Sequence, residues 1–78
     1  MKLEVGNKVK YEDNIEKITD ITFKVNADMI DYCCVELTIE FESGKFYYDE
    51  IQSFEDNINE IRKDLFEIAE SVLEKVSD

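Results

Sequence analysis

The chain has 78 residues, with twenty Asp and Glu, nine Lys and Arg and no His, and its formal net charge is −11. This length fits a single domain, 1–78, and a hydrophobic fraction of 44% argues against intrinsic disorder despite the charge. Since a surface of this sign repels phosphate, we expect no direct binding to nucleic acid. The sequence has no long apolar run and no N-terminal apolar segment, so we expect no membrane span and no signal peptide. We therefore expect a cytoplasmic location in the producing or infected cell.

The N-terminal part of the chain predicts antiparallel strands. Apolar and polar residues alternate over 8–11, and residues 12–14 are typical of a turn. The alternation resumes within 15–25, but it is broken at the beginning of that stretch, which predicts a bulge or a bend. Residues 26–31 have no clear period and predict a loop.

A β-hairpin is predicted in the middle of the chain. Apolar and mostly acidic residues alternate over 35–42, and Ser43-Gly44 predicts a two-residue turn before a returning strand over 45–51. That turn pairs Glu42 with Lys45 and so places opposite charges next to each other across the hairpin. The same register places four residues on the outer face of the sheet: Glu36, Glu40, Glu42 and Tyr47.

The last third of the chain predicts an amphipathic helix over about 54–76. Ser53 fits an N-cap, because acidic residues follow it in the first turn. Apolar residues recur at alternating spacings of four and three, at Phe54, Ile58, Ile61, Leu65, Ile68 and Val72. A second apolar row, which includes Phe66 and Leu73, widens the stripe into a face that packs on a sheet.

These elements predict an α+β fold. An antiparallel, strongly curled sheet of four or five strands, over about 3–51, precedes one C-terminal amphipathic helix; the alternative is a flatter sheet with the helix across one face. The spacing within the strands, Gly6-x-x-Val9-x-Tyr11 and then Ile15-x-x-Ile18-x-x-Ile21, resembles the opening hairpin of small SH3-like barrels. The resemblance concerns the fold and not the function.

The acidic residues of the second half form a pattern. Residues 1–39 carry eight acids and five bases, whereas residues 40–78 carry twelve acids and four bases. At about 100° per residue, seven acids of the predicted helix fall within about 120° and extend over roughly 33 Å. They are Asp56, Glu60, Asp64, Glu67, Glu70, Glu74 and Asp78.

This row, together with the strip of Glu36, Glu40 and Glu42, predicts a surface that binds a basic partner, with Tyr47 as an aromatic anchor. A solvated helix face usually mixes charges of both signs, whereas like charges here recur at i,i+4. The charge excess also exceeds the magnitude of roughly 2–8 that keeps a small domain soluble. The alternative is that both strips are ordinary solvent-facing surfaces.

The sequence predicts no catalytic residue, metal site or cofactor. It has no His, no nucleophile paired with a base and no glycine-rich phosphate loop. Cys33 and Cys34 are adjacent, and neighbouring strand residues point to opposite faces, so we expect one to lie in the core and the other to be a bystander. The alternative is a redox or intermolecular thiol, which would lack a basic neighbour to activate it.

The length, the net charge and the carboxylate row resemble those of small acidic phage-encoded inhibitors, which include DNA mimics and some anti-CRISPR proteins. That group shares no motif, so no residue role is transferred. The resemblance implies that the partner is a basic nucleic-acid-binding enzyme or effector. The alternative is a structural or accessory domain, a homodimer or a regulatory subunit, that assembles through apolar helix contacts at residues such as Phe66 and Leu73.

Overall fold

The computed structural model describes residues 3–29, 32–54 and 57–76. Within them the elements are β1 (Lys8–Tyr11), β2 (Asn14–Met29), β3 (Tyr32–Phe41), β4 (Phe46–Ser53), α1 (Ile58–Val72) and β5 (Glu74–Lys75). The strands form an antiparallel sheet in the order β4-β3-β2-β1-β5. The predicted α+β class, with a C-terminal helix after the sheet, is confirmed. In the described part of the chain the sheet is open, with β4 and β5 at its edges, so the closure of a small barrel is not found.

Strand β2 is long enough to join two ladders. Its first residues pair with β1, and its remainder pairs with β3. The register shifts between Ile18 and Asp20, which confirms the predicted irregularity. The strand continues to Met29, so the predicted loop was wrong over residues 26–29. A second register shift, between Asn26 and Met29, explains why this stretch shows no period; residues 30 and 31 lie outside the described residues.

The β3–β4 hairpin has a three-residue loop, and the predicted two-residue turn was wrong. The Phe41 N–H donates to the Lys45 carbonyl at 2.9 Å, and the Gly44 N–H donates to the Phe41 carbonyl at 3.0 Å. Gly44 has a φ of +93°, as the third loop residue of such a hairpin requires. Lys45 therefore lies opposite Phe41 instead of Glu42. A slip of one residue moves every side chain of β4 to the other face of the sheet.

Helix α1 covers one face of the sheet, which we call the inner face. Ile61, Leu65 and Ala69 are buried there at i,i+4 spacing, as one face of a helix dictates. They share the core with alternate residues of β3, since successive strand side chains point to opposite faces. The buried residues of β3 are Cys33, Val35, Leu37, Ile39 and Phe41.

The helix is shorter than predicted at both ends. Asn57 is the N-cap, and its side-chain oxygen accepts from the Glu60 N–H at 3.4 Å. Ser53 was wrong as the N-cap, because it is the last residue of β4 and pairs with Cys33. After Val72 the chain becomes extended and adds β5 to the edge of β1.

Candidate partner-binding surfaces

The helix presents its acids to solvent, opposite the buried face. Glu60, Asp64 and Glu67 are exposed, and Glu70 is half-buried. We call these four residues the helix carboxylate row. At 100° per residue, the centre of this row lies about 155° around the helix axis from the centre of the buried stripe. The structure therefore brings together the central part of the predicted row.

The row is shorter than the sequence predicted. Glu74 lies in β5, where it pairs with Lys10 of β1, so its placement on the helix was wrong. The predicted helix pattern could not reveal this, because Glu74 keeps the helical spacing although the backbone is already extended. Asp56 and Asp78 lie outside the described residues.

Within the part of the chain that the structure describes, Glu60, Asp64 and Glu67 make no ion pair. Their carboxylates are therefore available for contacts with a partner. An ion pair does occur elsewhere, between Lys17 Nζ and Glu42 Oε2 at 4.0 Å. Glu42 lies in the β3–β4 loop and not on a strand, so it does not extend the acidic strip that the sequence predicted.

The outer face of the sheet, opposite α1, carries Glu36 and Glu40 as predicted. Tyr47 was wrongly assigned to this face. It lies on the inner face opposite Ile39, is only 7% exposed and has its ring 6.1 Å from that of Tyr11. A buried ring of this kind belongs to the core and is not an exposed anchor.

Because of the one-residue slip, Phe46 and Tyr48 take the outer positions and are 59% and 45% exposed. The sequence contained one signal for this register, which is Gly44. A glycine at the third loop position fits the three-residue hairpin, whereas the charge pairing of Glu42 with Lys45 favoured the shorter turn.

A hydrogen-bond network orders the outer face. The Tyr48 hydroxyl donates to Glu36 Oε1 at 2.6 Å and lies 3.1 Å from Glu50 Oε2, so its single proton serves two carboxylates. Asn26 Nδ2 donates to the other oxygen of Glu36 at 2.8 Å. Glu36 and Glu50 are directly opposite on β3 and β4, where like charges repel. The hydrogen bond to Glu36 raises the pKa of Tyr48 well above that of an ordinary phenol, since it favours the neutral hydroxyl.

The two cysteines lie on opposite faces, as predicted. Cys33 is buried in the core, and the half-buried Cys34 is on the outer face. Burial raises the pKa of Cys34, and the Sγ contact with Glu50 Oε2 at 3.4 Å raises it further. A raised pKa lowers the thiolate fraction, which argues against a reactive thiol.

The helix carboxylate row and the acids of the outer face do not form one surface. Helix α1 packs against the inner face, and its acids point away from the sheet. Glu36 and Glu40 lie on the far side of that sheet. The molecule therefore has two separate acidic surfaces.

The two apolar residues that were candidates for an assembly interface lie in different environments. Leu73 is fully buried, so it has no surface to offer to another subunit. Phe66 is half-buried, and its ring lies 6.3 Å from that of Phe23 on β2.

Grooves flank the helix on both sides. The β4-side groove has a volume of about 470 Å³ and is lined by Ile51, Asp64, Glu67, Ile68 and Ser71. The β2-side groove has a volume of about 510 Å³ and is lined by Phe23, Asn59, Arg62, Lys63, Phe66, Glu67 and Glu70. In the latter, the Arg62 guanidinium lies 5.8 Å from the centre of the Phe23 ring.

Comparison with known proteins found no matching family model, no matching curated protein and no matching solved structure. Among the described residues, no group of three or more Cys, Asp and Glu is arranged to hold a metal ion. No helix in the described ranges has the length and apolar character needed to cross a membrane.

Proposed function

We propose that the protein is a small acidic inhibitor that occupies a basic nucleic-acid-binding surface of a partner protein. The observation that carries this proposal is the helix carboxylate row, which is presented to solvent on a helix anchored by the core. The anchoring fixes the backbone that carries the carboxylates before binding, so the backbone loses little entropy when the partner docks.

The spacing of the row is compatible with a site that binds a nucleic-acid backbone. From Glu60 to Glu70 the row extends about 15 Å, or roughly one carboxylate per 5 Å. One strand of B-DNA presents a phosphate about every 3.4 Å. The row is less dense than the phosphates, but Lys and Arg side chains are long and flexible enough to reach carboxylates at this spacing.

The helix face is a better candidate than the outer face of the sheet. Glu36 already accepts hydrogen bonds from Tyr48 and Asn26, and Lys24 lies directly opposite it on β2. A partner would have to compete with these contacts. In the described ranges, Glu60, Asp64 and Glu67 make no ion pair that a basic partner would have to replace.

The proposed partner is a nucleic-acid-binding enzyme or effector, such as a nuclease of the kind that anti-CRISPR proteins inhibit. This would place the protein in the cytoplasm of the producing or infected cell. The net charge of −11 would steer association with a basic site and make the affinity fall with ionic strength.

The test is retention of a partner on immobilised protein. Lysate of the producing or infected cells is applied, bound protein is eluted with a salt gradient, and parallel columns are challenged with short DNA, short RNA or poly-glutamate. We expect a basic nucleic-acid-binding protein that elutes at moderate salt and is displaced by DNA or RNA at concentrations where poly-glutamate has little effect. Retention that is indifferent to salt and to nucleic acid would contradict the proposal.

A further inference from the structure

The β4-side groove combines an apolar floor with an acidic rim. Ile68 is 42% exposed on the helix, and Ile51 lies half-buried beside it on β4. Val72, one turn after Ile68, is 48% exposed and extends the apolar surface. These residues are uncovered because β4 is the edge of the sheet, so no further strand lies beneath this side of the helix in the described part of the chain.

The two grooves differ in their balance of charge. Asp64 and Glu67 are the charged residues that line the β4-side groove, and both belong to the helix carboxylate row. The β2-side groove is lined by Arg62 and Lys63 as well as by Glu67 and Glu70, so its charges balance and it attracts a basic partner less strongly. Charge complementarity therefore selects the β4-side groove for the partner that binds the row.

We propose that the β4-side groove receives an apolar side chain of the same partner, flanked by Lys or Arg residues that pair with Asp64 and Glu67. This inference rests on the proposed function and adds to it an apolar anchor, which nucleic acid itself would not supply. Specificity for one basic protein among many would then come from the anchor, and attraction would come from the carboxylates.

A second copy of the chain is a poorer occupant of the groove. In a symmetric dimer the same patch meets itself, so Asp64 and Glu67 of one copy would face the same acids of the other. A basic segment with one apolar residue satisfies both the floor and the rim.

The probes for this inference are two amidated peptides, Lys-Arg-Leu-Arg-Lys and Lys-Arg-Ser-Arg-Lys. Their affinities are measured by NMR titration of the wild-type protein and of two variants, Ile68→Ser and Ile15→Ser. Ile15 is the matched control, because it is 57% exposed and lies outside both grooves beside the helix. We expect the leucine peptide to bind about tenfold more tightly than the serine peptide. This preference is expected to vanish in Ile68→Ser and to persist in Ile15→Ser.

Two failures are distinguishable. If both peptides shift the amide signals of Glu60, Asp64 and Glu67 equally, the apolar anchor is overturned and the proposed function survives. If neither peptide shifts them, both are overturned. A tenfold preference that persists in Ile68→Ser would also overturn the inference, because the leucine would then bind elsewhere.

Discussion

At the scale of single residues, the Tyr48 hydroxyl has the clearest electrostatic role. It places one proton between the carboxylates of Glu36 and Glu50, which face each other across β3 and β4. Without this donor, two like charges would remain opposite each other on the sheet. The sequence contained all three residues, but their meeting depends on the register of the hairpin.

This arrangement predicts a specific dependence of stability on pH. The pKa of Tyr48 is raised in the folded state relative to a value of about 10 in the unfolded chain. The unfolded chain therefore loses this proton first as pH rises. The stability that Tyr48 contributes is fully present below about pH 10 and is lost progressively above it.

The check is an ultraviolet titration of phenolate absorbance, combined with urea unfolding at several pH values. Tyr48→Phe should remove the highest-titrating phenol, and Glu36→Gln should move that titration to lower pH because it removes the negative charge of the principal acceptor. If the pH at which the last phenol titrates is the same in both variants as in the wild-type protein, Tyr48 is not held in this network.

At the scale of elements, the β1–β2 turn and the β3–β4 loop differ in how well their residues suit the backbone. Glu12 and Asp13 have φ values of 50° and 66°, as the mirror-image two-residue turn requires, although neither is glycine. Gly44 has a φ of +93° in the β3–β4 loop, where glycine is the favoured residue. Space is not the constraint at Gly44, since no neighbouring atom lies within 4 Å of a Cβ placed there.

The substitutions Asp13→Gly and Gly44→Ala should therefore have opposite effects on the free energy of unfolding. We expect Asp13→Gly to raise it by about 1 kcal/mol, because it relieves the left-handed conformation, and Gly44→Ala to lower it by about 1 kcal/mol. Urea denaturation measures both. Effects of the same sign would show that backbone conformation does not govern these turns.

The sequence predicted the existence and type of most elements, and the misses have physical causes. Alternation in β3 and helical spacing in α1 are local signals, so both were found. The face on which each β4 side chain lies depends on whether the loop has two or three residues. The wrong loop length therefore exchanged the predicted faces of Tyr47 and Tyr48. The short strand β5 escaped prediction because only its pairing with β1, far away in sequence, holds it extended.

At the scale of the whole molecule, the helix packs against one side of the sheet and the acids divide between two surfaces. The sequence could not determine this division, because it depends on which face of the sheet the helix covers. Ile68 and Val72 were predicted to lie on the packing stripe, and the spacing is correct. They remain exposed because the sheet ends at β4.

This separation allows a matched comparison of the two surfaces. The variant Glu60→Lys/Glu67→Lys reverses two exposed acids of the helix carboxylate row. The variant Asp20→Lys/Glu40→Lys reverses two exposed acids that face each other on the outer face of the sheet. Both change the net charge by the same amount, and neither alters a buried residue, so circular dichroism should show an intact fold in both.

The most direct measurement is the affinity of each variant for the partner retained by the wild-type protein, at low and at moderate salt. We expect the helix variant to lose about 100-fold or more in affinity at low salt and the sheet variant to lose much less, because the proposed binding site is on the helix face. Equal losses would show that net charge alone drives binding, and a greater loss in the sheet variant would place the site on the outer face. Either result would contradict the assignment of the binding surface to the helix.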